Sequence, residues 1–125
     1  YMSKGADTAV RRGAIHALYR AELAAEMQKQ APICERLVGR CAALWRIRIM
    51  KTRWGSCNTR TGAITLNLRL VRYNVNALIY VMIHELTHLW VRGHNAHFYE
   101  RMDRYFPTWR NVRYALHQWD TDEYL

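Results

Sequence analysis

Several features that mark particular classes of protein are missing from this chain of 125 residues. No stretch approaches the roughly 18 consecutive apolar residues that cross a bilayer, and no basic and then apolar leader precedes a small-residue cleavage site. Only two prolines interrupt a sequence that is 50% hydrophobic, which excludes a disordered chain. The sequence therefore predicts a folded protein without a membrane segment.

Cysteine is scarce and shows no pairing pattern. Cys34, Cys41 and Cys57 form an odd set without C-x-x-C spacing, which argues against a disulfide framework. Reduced thiols of this kind favour a cytoplasmic location. Cys57 as a zinc ligand is an alternative, although a packed thiol is the favoured interpretation.

Negative charge is absent from the middle of the chain. Residues 36–84 include nine basic side chains and no acidic one, and this block equals the whole formal net charge of +9. Such a block favours an anionic partner, while an ordinary solvated surface is an equal alternative. We therefore expect nucleic acid or another anionic ligand to bind through the stretch 36–72. The nine residues are Arg36, Arg40, Arg46, Arg48, Lys51, Arg53, Arg60, Arg69 and Arg72.

The spacing of apolar residues predicts helices first and strands afterwards. Three-to-four spacing predicts one helix over the first thirty residues, and a second from Pro32 to Leu44, because proline suits a first helical turn. Alternation across residues 45–49 predicts a strand. Residues Arg53–Cys57 and Ala63–Leu70 are two further extended segments, joined by a turn-rich stretch.

The C-terminal half is predicted to be helical. A long apolar helix spans Val75–Arg92, with Asn74 as its cap and Gly93 as its stop. Two helices follow, from Asn95 to Tyr105 and from Pro107 to Trp119. The order indicates an α+β fold with N-terminal helices, a small and mainly antiparallel sheet, and C-terminal helices.

A single domain accounts for the whole sequence. We expect it to span residues 1–125, with residues 1–43 as a helical N-terminal part and residues 44–125 as the core. Because the chain begins Tyr1-Met2 and runs directly into structured sequence, we expect it to be a fragment of a longer chain.

The motif His84-Glu85-Leu86-Thr87-His88 carries most of the functional information. Two histidines at i and i+4 lie on one helical face, so their ring nitrogens can converge on one metal ion. The glutamate between them can act as a general base on water at that metal. This pattern is typical of hydrolytic zinc sites.

The third metal ligand stays open among three candidates. His94 stands six residues beyond the second histidine, the spacing found in metzincins, and is the favoured candidate. His97 could reach the metal if the turn were longer, and Glu100 could serve as in zincins that take an acidic ligand from a following helix. His16 and His117 fall in helices that we expect to lie far from the motif.

The chain resembles the YgjP-like metallopeptidase domain family, which is itself similar to the SprT-like metalloproteases that act on proteins bound to DNA. The resemblance implies a compact zincin-like fold in which His84, His88 and His94 bind one Zn²⁺ and Glu85 is catalytic. It also implies that Arg53, Trp54 and Asn67 lie along the substrate cleft. The residues that carry it are Arg53-Trp54-Gly55-Ser56-Cys57, Gly62, Leu66-Asn67, Leu70, Tyr80-Val81, the motif with Leu89, then His94 and Phe98.

The expected activity is a zinc-dependent metallopeptidase that cuts polypeptide substrates. A substrate strand is expected to pair with the edge of a sheet, and the segment Ala63–Leu70 is the predicted edge. The alternative activities are a metal-dependent hydrolase of nucleotides or other phosphorylated compounds, favoured by the basic stretch, and a SprT-like protease that works beside nucleic acid.

Overall fold

A computed structural model describes residues 4–119 of the chain. Within this range the chain forms four α-helices and a sheet of three strands, which confirms the α+β class. In chain order the elements are α1 (Lys4–Val38), β1 (Leu44–Arg48), β2 (Gly55–Cys57), β3 (Ala63–Asn67), a short 3-10 helix (Leu68–Arg72), α2 (Val75–Thr87), α3 (Ala96–Tyr105) and α4 (Trp109–Trp119).

One long helix replaces the two that were predicted at the N-terminus. Pro32 lies inside α1, so the prediction of a new helix from Pro32 to Leu44 was wrong. The proline faces solvent, where water can bind the backbone carbonyl that it leaves without a donor. The helix ends at Val38 and is followed by Gly39, whose φ of 82° suits a left-handed cap. A buried stripe holds α1 against the core on both sides of the proline, at Leu23, Met27, Ala31, Cys34 and Val38.

The sheet is mixed, with strand order β1-β3-β2, and is not mainly antiparallel as predicted. β1 pairs with β3 in parallel over five residues, from Leu44 opposite Ala63 to Arg48 opposite Asn67. β2 pairs with β3 antiparallel because a tight turn joins them, closed by a 2.7 Å hydrogen bond from Gly62 N to Asn58 O. The sequence predicted this turn but could not show that β2 lies beyond β3 at the edge.

β3 is shorter than the predicted segment Ala63–Leu70. It ends at Asn67, whose side chain accepts a hydrogen bond from Arg69 N at 3.1 Å and caps the 3-10 helix. The same amide donates to Met50 O at 2.9 Å and to Arg53 O at 2.7 Å. Asn67 is fully buried and ties the loop before β2 to the end of β3.

α2 passes through the centre of the domain and is shorter than the predicted range Val75–Arg92. Asn74 caps its start as predicted, accepting from Asn76 N at 2.8 Å. The helix ends at Thr87, before Gly93. The chain then tightens into turns, in which His88 N, Leu89 N and Trp90 N donate to carbonyl oxygens three residues earlier. These turns redirect the backbone within a few residues of the motif.

The last two helices, α3 and α4, pack against α2. Asn95 caps α3 as predicted, with its side chain accepting from Phe98 N at 3.1 Å. α4 starts at Trp109, slightly after the predicted Pro107, and packs against α2. Among the described helices, none combines the length and apolar character of a bilayer-crossing segment.

Candidate metal centre and its cleft

The two motif histidines project from the C-terminal end of α2, and each is held through its Nδ1 atom. His88 Nδ1 lies 3.0 Å from Val91 O, and a carbonyl oxygen only accepts, so this nitrogen carries the proton. His84 Nδ1 lies 3.1 Å from a carboxylate oxygen of Glu85. In both rings Nε2 therefore keeps a lone pair that is available to a metal.

The loop after α2 returns His94 to the other two histidines. His94 Nε2 lies 3.2 Å from His84 Nε2. The possible ligand atoms of His84, His88 and His94 all lie within 4.8 Å of one another. Phe98, which is fully buried, packs against all three rings at centroid distances of 5.0, 4.6 and 5.0 Å. The turns that end α2 early are what bring His94 into this cluster.

The donor set fits a divalent metal ion. Bonds of about 2.0–2.1 Å from nitrogen to zinc in a tetrahedron place two nitrogen atoms about 3.3–3.4 Å apart. The His84 and His94 Nε2 atoms lie 3.2 Å apart, close to this value. Two imidazole lone pairs at that distance repel each other unless a proton or a cation lies between them. Three neutral imidazoles could therefore hold a metal ion here.

Glu85 follows His84 on the last turn of α2 and is only 6% exposed. Its burial depends on Gly55 in β2, because a β-carbon at that position would lie 3.2 Å from Glu85 Cγ and 2.7 Å from Val81 Cγ1. Only glycine lets β2 approach α2 so closely. The carboxylate is consequently held at the wall of the cleft by the sheet on one side and His84 on the other.

The histidines and Glu85 open onto a cleft with a volume of about 500 Å³. Its walls come from five parts of the chain: the segment around β2, the motif face of α2, the loop that follows α2, the start of α3, and one face of α4. The α4 residues Trp109, Arg113, Leu116 and His117 recur at helical spacing and line the cleft together.

The structure distributes the predicted cleft residues unequally. Arg53 and Trp54 line the cleft, whereas Asn67 is fully buried below it and contacts the Arg53 backbone. His97 is exposed and lies outside the histidine cluster. Glu100 is also exposed, and its carboxylate lies 3.9 Å from Arg104.

Cys57 lines the cleft but does not belong to the histidine cluster. Burial, followed by the charge of Glu85, raises the pKa of this thiol to about 11. Metal ligation needs a thiolate, which such an environment disfavours at neutral pH. These features support the packed-thiol interpretation. In the described chain all three cysteines are free.

Three cleft residues of α4 had no role in the sequence-based prediction. His117, which was expected far from the motif, lines the cleft with Arg113 and Trp109. Their spacing of four residues along one helix was visible in the sequence, but nothing local showed which element this face would meet. The packing of α4 on α2 supplies that information.

Besides Cys57, two further ionisable side chains in the cleft have shifted pKa values. Burial raises the pKa of Tyr80 to about 12, and the positive charge of Arg113 opposes the rise. Burial lowers the pKa of His94, followed by the neighbouring rings of His84 and His88, with a smaller contribution from Arg113 in the same direction. Tyr80 therefore stays protonated at neutral pH and His94 favours its neutral form.

Three converging imidazoles beside a buried glutamate in an open cleft define the class of metal-dependent hydrolases. The model of one protein family, described as YgjP-like, metallopeptidase domain, matches residues 1–119. The chain belongs to this family, and the resemblance noted from its motifs is confirmed.

Solved structures show the same fold in more distant proteins. The metallopeptidase zymogen abylysin of Pyrococcus abyssi aligns with a TM-score of 0.67 and 21% identity, over 74% of this chain and 92% of that one. The metallopeptidase zymogen jannalysin of Methanocaldococcus jannaschii aligns with a TM-score of 0.63 and 18% identity, over 74% and 94%. No significant match was found among curated proteins.

Proposed function

We propose that the protein is a zinc-dependent peptidase in which His84, His88 and His94 hold one Zn²⁺ and Glu85 is the general base. The observation that carries the proposal is the arrangement of three imidazoles, whose ligand atoms lie within 4.8 Å of one another, next to a buried carboxylate. A purely structural metal site has no need of that carboxylate, nor of an open cleft above it.

Bound zinc would supply Lewis acidity toward water and toward the scissile carbonyl. The remaining steps fall to the protein. Glu85 takes a proton from water and passes it to the leaving nitrogen, as its position on the cleft wall allows. Its 3.1 Å contact with His84 Nδ1 restrains one carboxylate oxygen and leaves the other without this contact. Phe98 keeps the three imidazoles in one orientation by packing against them.

An extended substrate would lie along β2. The sequence-based proposal placed it on Ala63–Leu70, but β3 is the central strand of the sheet and both of its edges are already paired. β2 bonds to β3 on one side only, and Gly55, Ser56 and Cys57 all line the cleft. Main-chain pairing with this short edge would set the direction of the peptide past Glu85.

Hydrolysis of a phosphorylated compound is a second candidate activity. It is favoured by Arg53, Arg92 and Arg113, which line the cleft and could neutralise phosphate charge. Against it, the cleft contains no glycine-rich phosphate loop, and its β2 edge suits an extended peptide better.

The decisive experiment measures hydrolysis of peptide bonds and of nucleoside triphosphates by the wild type and by one variant. The zinc-loaded protein and its Glu85→Gln form are incubated with an unfolded polypeptide and, in parallel, with a panel of nucleoside triphosphates. We expect peptide fragments from the wild type alone and no Glu85-dependent phosphate release. Phosphate release without peptide cleavage would replace the peptidase proposal with the second candidate.

Nucleic-acid binding through residues 36–72 stays a prediction. Arg69 is 2% exposed with its guanidinium 4.6 Å from the Trp54 ring, and Arg40 stacks on Trp90 at 4.2 Å. Fewer than nine side chains are thus available to phosphates. A salt titration tests the prediction, because phosphate contacts make affinity fall steeply as salt rises. The cytoplasmic location inferred from cysteine usage is likewise a prediction.

A further inference from the structure

Arg113 differs from the other basic side chains of the protein in its surroundings. It lies on the cleft face of α4, one helical turn after Trp109. Arg113, Tyr80 and His94 line the same cleft, so the guanidinium stands in the cavity onto which the histidine cluster opens.

No acidic side chain between residues 4 and 119 forms an ion pair with Arg113. The nearby Arg110 on the same helix, by contrast, contacts Asp103 at 2.6 Å. Among residues 4–119, the acidic residue that lines the cleft is Glu85, which is already engaged by His84. Within this described part of the chain, Arg113 therefore lines the cleft without a carboxylate partner.

The number of arginines alone does not support a substrate-binding role, because arginine is abundant throughout this sequence. The three arginines that line the cleft differ in the part of the fold on which they lie. Arg53 and Arg92 lie on loops between elements, whereas Arg113 is fixed on a helix. The adjacent Trp109 is held by a 2.8 Å hydrogen bond to Asp103 and by parallel stacking on Tyr99 and Tyr80, at centroid distances of 5.6 and 6.4 Å. A rigid support of this kind orients a side chain for recognition.

We propose that Arg113 is a specificity-determining residue that binds a carboxylate of the peptide substrate beside the scissile bond. The proposal rests on the peptidase function proposed above and names the substrate class: peptides with an acidic side chain, or a free C-terminus, near the cleavage point. Guanidinium suits this task because its planar donors meet both oxygens of a carboxylate. The aromatic wall at Trp109 and Tyr99 would contact the apolar part of the same residue.

The test uses internally quenched peptides built on a sequence that the zinc-loaded protein cleaves. One peptide carries Glu next to the scissile bond, a second carries Gln there, and a third is the Gln peptide with an amidated C-terminus. The second and third peptides differ only in the terminal charge, so they separate a side-chain carboxylate from a C-terminal one. Cleavage is measured as kcat/KM for wild type, Arg113→Ala, Arg113→Glu and Arg12→Ala. Arg12 is exposed on α1, outside the cleft and outside the stretch 36–72, and controls for the loss of one positive charge.

We expect wild type and Arg12→Ala to favour the charged member of one peptide pair by about fivefold, as for an ion pair with an exposed guanidinium. Arg113→Ala should bring this ratio near one, and Arg113→Glu should invert it. A wild-type ratio near one for both pairs, or a ratio that survives in Arg113→Ala, would overturn the proposal.

A binding measurement keeps this result separate from the peptidase question. Equilibrium binding of the same three peptides, labelled with a fluorophore, is measured on the Glu85→Gln protein with and without Arg113→Ala. If the wild type cleaves no peptide, the peptidase proposal fails. The binding ratio then decides the role of Arg113 alone: a charge preference that Arg113→Ala removes supports the site, and equal affinities contradict it. Zinc content and circular dichroism confirm that each variant is folded.

Discussion

Gly55 and Glu85 lie so close together that the strand and the helix leave no room for a methyl group between them. A β-carbon at Gly55 would stand 3.2 Å from Glu85 Cγ and 2.7 Å from Val81 Cγ1. It would also lie 3.1 Å from the backbone oxygen of Thr65, so movement of side chains alone would not make room for it. The proposed general base is therefore positioned by a glycine in a neighbouring strand.

Gly55→Ala should reduce kcat by about ten- to a hundredfold, because a small displacement of Glu85 misplaces the proton acceptor. Zinc content should stay near that of wild type, since the three histidines belong to α2 and the following loop. The matched control is Gly13→Ala, whose added methyl would meet nothing within 4 Å. Equal activity in the two variants would show that the close approach does not position Glu85.

The third ligand is tested by a pair of alanine variants. His94→Ala should lose tight zinc binding, because its Nε2 lies 3.2 Å from that of His84, whereas His97→Ala should retain it, because His97 lies outside the cluster. Zinc stoichiometry after dialysis against a weak chelator measures both. Full occupancy in the His94 variant would remove this residue from the metal site.

Asn67 supports the cleft by binding the backbone of the loop that carries Arg53. Asn67→Ala would break its hydrogen bonds to Met50 O, Arg53 O and Arg69 N, and should lower the free energy of unfolding by about 1–3 kcal/mol. The exposed Asn111 provides a control, with an expected change below about 0.5 kcal/mol for Asn111→Ala. Urea denaturation of both variants measures the difference. A stable Asn67→Ala protein would contradict a structural role.

Alkaline pH should destabilise the protein through Cys34. Burial, followed by the charge of Glu35, raises the pKa of this thiol from 9.0 to about 11. The unfolded chain loses the proton first, so the stability contribution is complete below pH 9 and is lost between pH 9 and 11. The loss should amount to about 2–3 kcal/mol.

Cys34→Ala should flatten this part of the stability profile, although it leaves a small cavity that lowers stability at every pH. Exposed Cys41 gives the comparison, because Cys41→Ala should keep the alkaline decline. Urea denaturation at pH 8 and at pH 10.5 measures both. An unchanged slope in Cys34→Ala would assign the alkaline sensitivity to other groups.

Local sequence signals predicted much of the fold and which histidines lie together. The caps Asn74 and Asn95 lie where their types favour a helix start. Placing His84 and His88 on one face needed only helical geometry. The prediction that a new helix begins at Pro32 was wrong. The buried stripe of α1 continues on both sides of this proline, so tertiary packing outweighed the local preference.

Long-range packing was the part that could not be predicted. Parallel pairing of β1 with β3 joins segments separated by a whole strand, and nothing in either segment names its partner. The same reason hid the cleft face of α4, including Arg113 and His117, which depends on how that helix docks on α2. Asn67 was expected along the cleft because it lies in a family motif, yet its task is to hold the loop that carries Arg53.

The most direct test of the central claim separates metal binding from catalysis at Glu85. Wild type and Glu85→Gln are loaded with zinc, their zinc content is measured, and cleavage of one unfolded polypeptide is followed by mass spectrometry. The account predicts about one zinc per chain in both proteins, with cleavage reduced at least about a hundredfold in Glu85→Gln. Equal cleavage by the two zinc-loaded proteins would contradict a hydrolytic site built on His84, His88, His94 and Glu85.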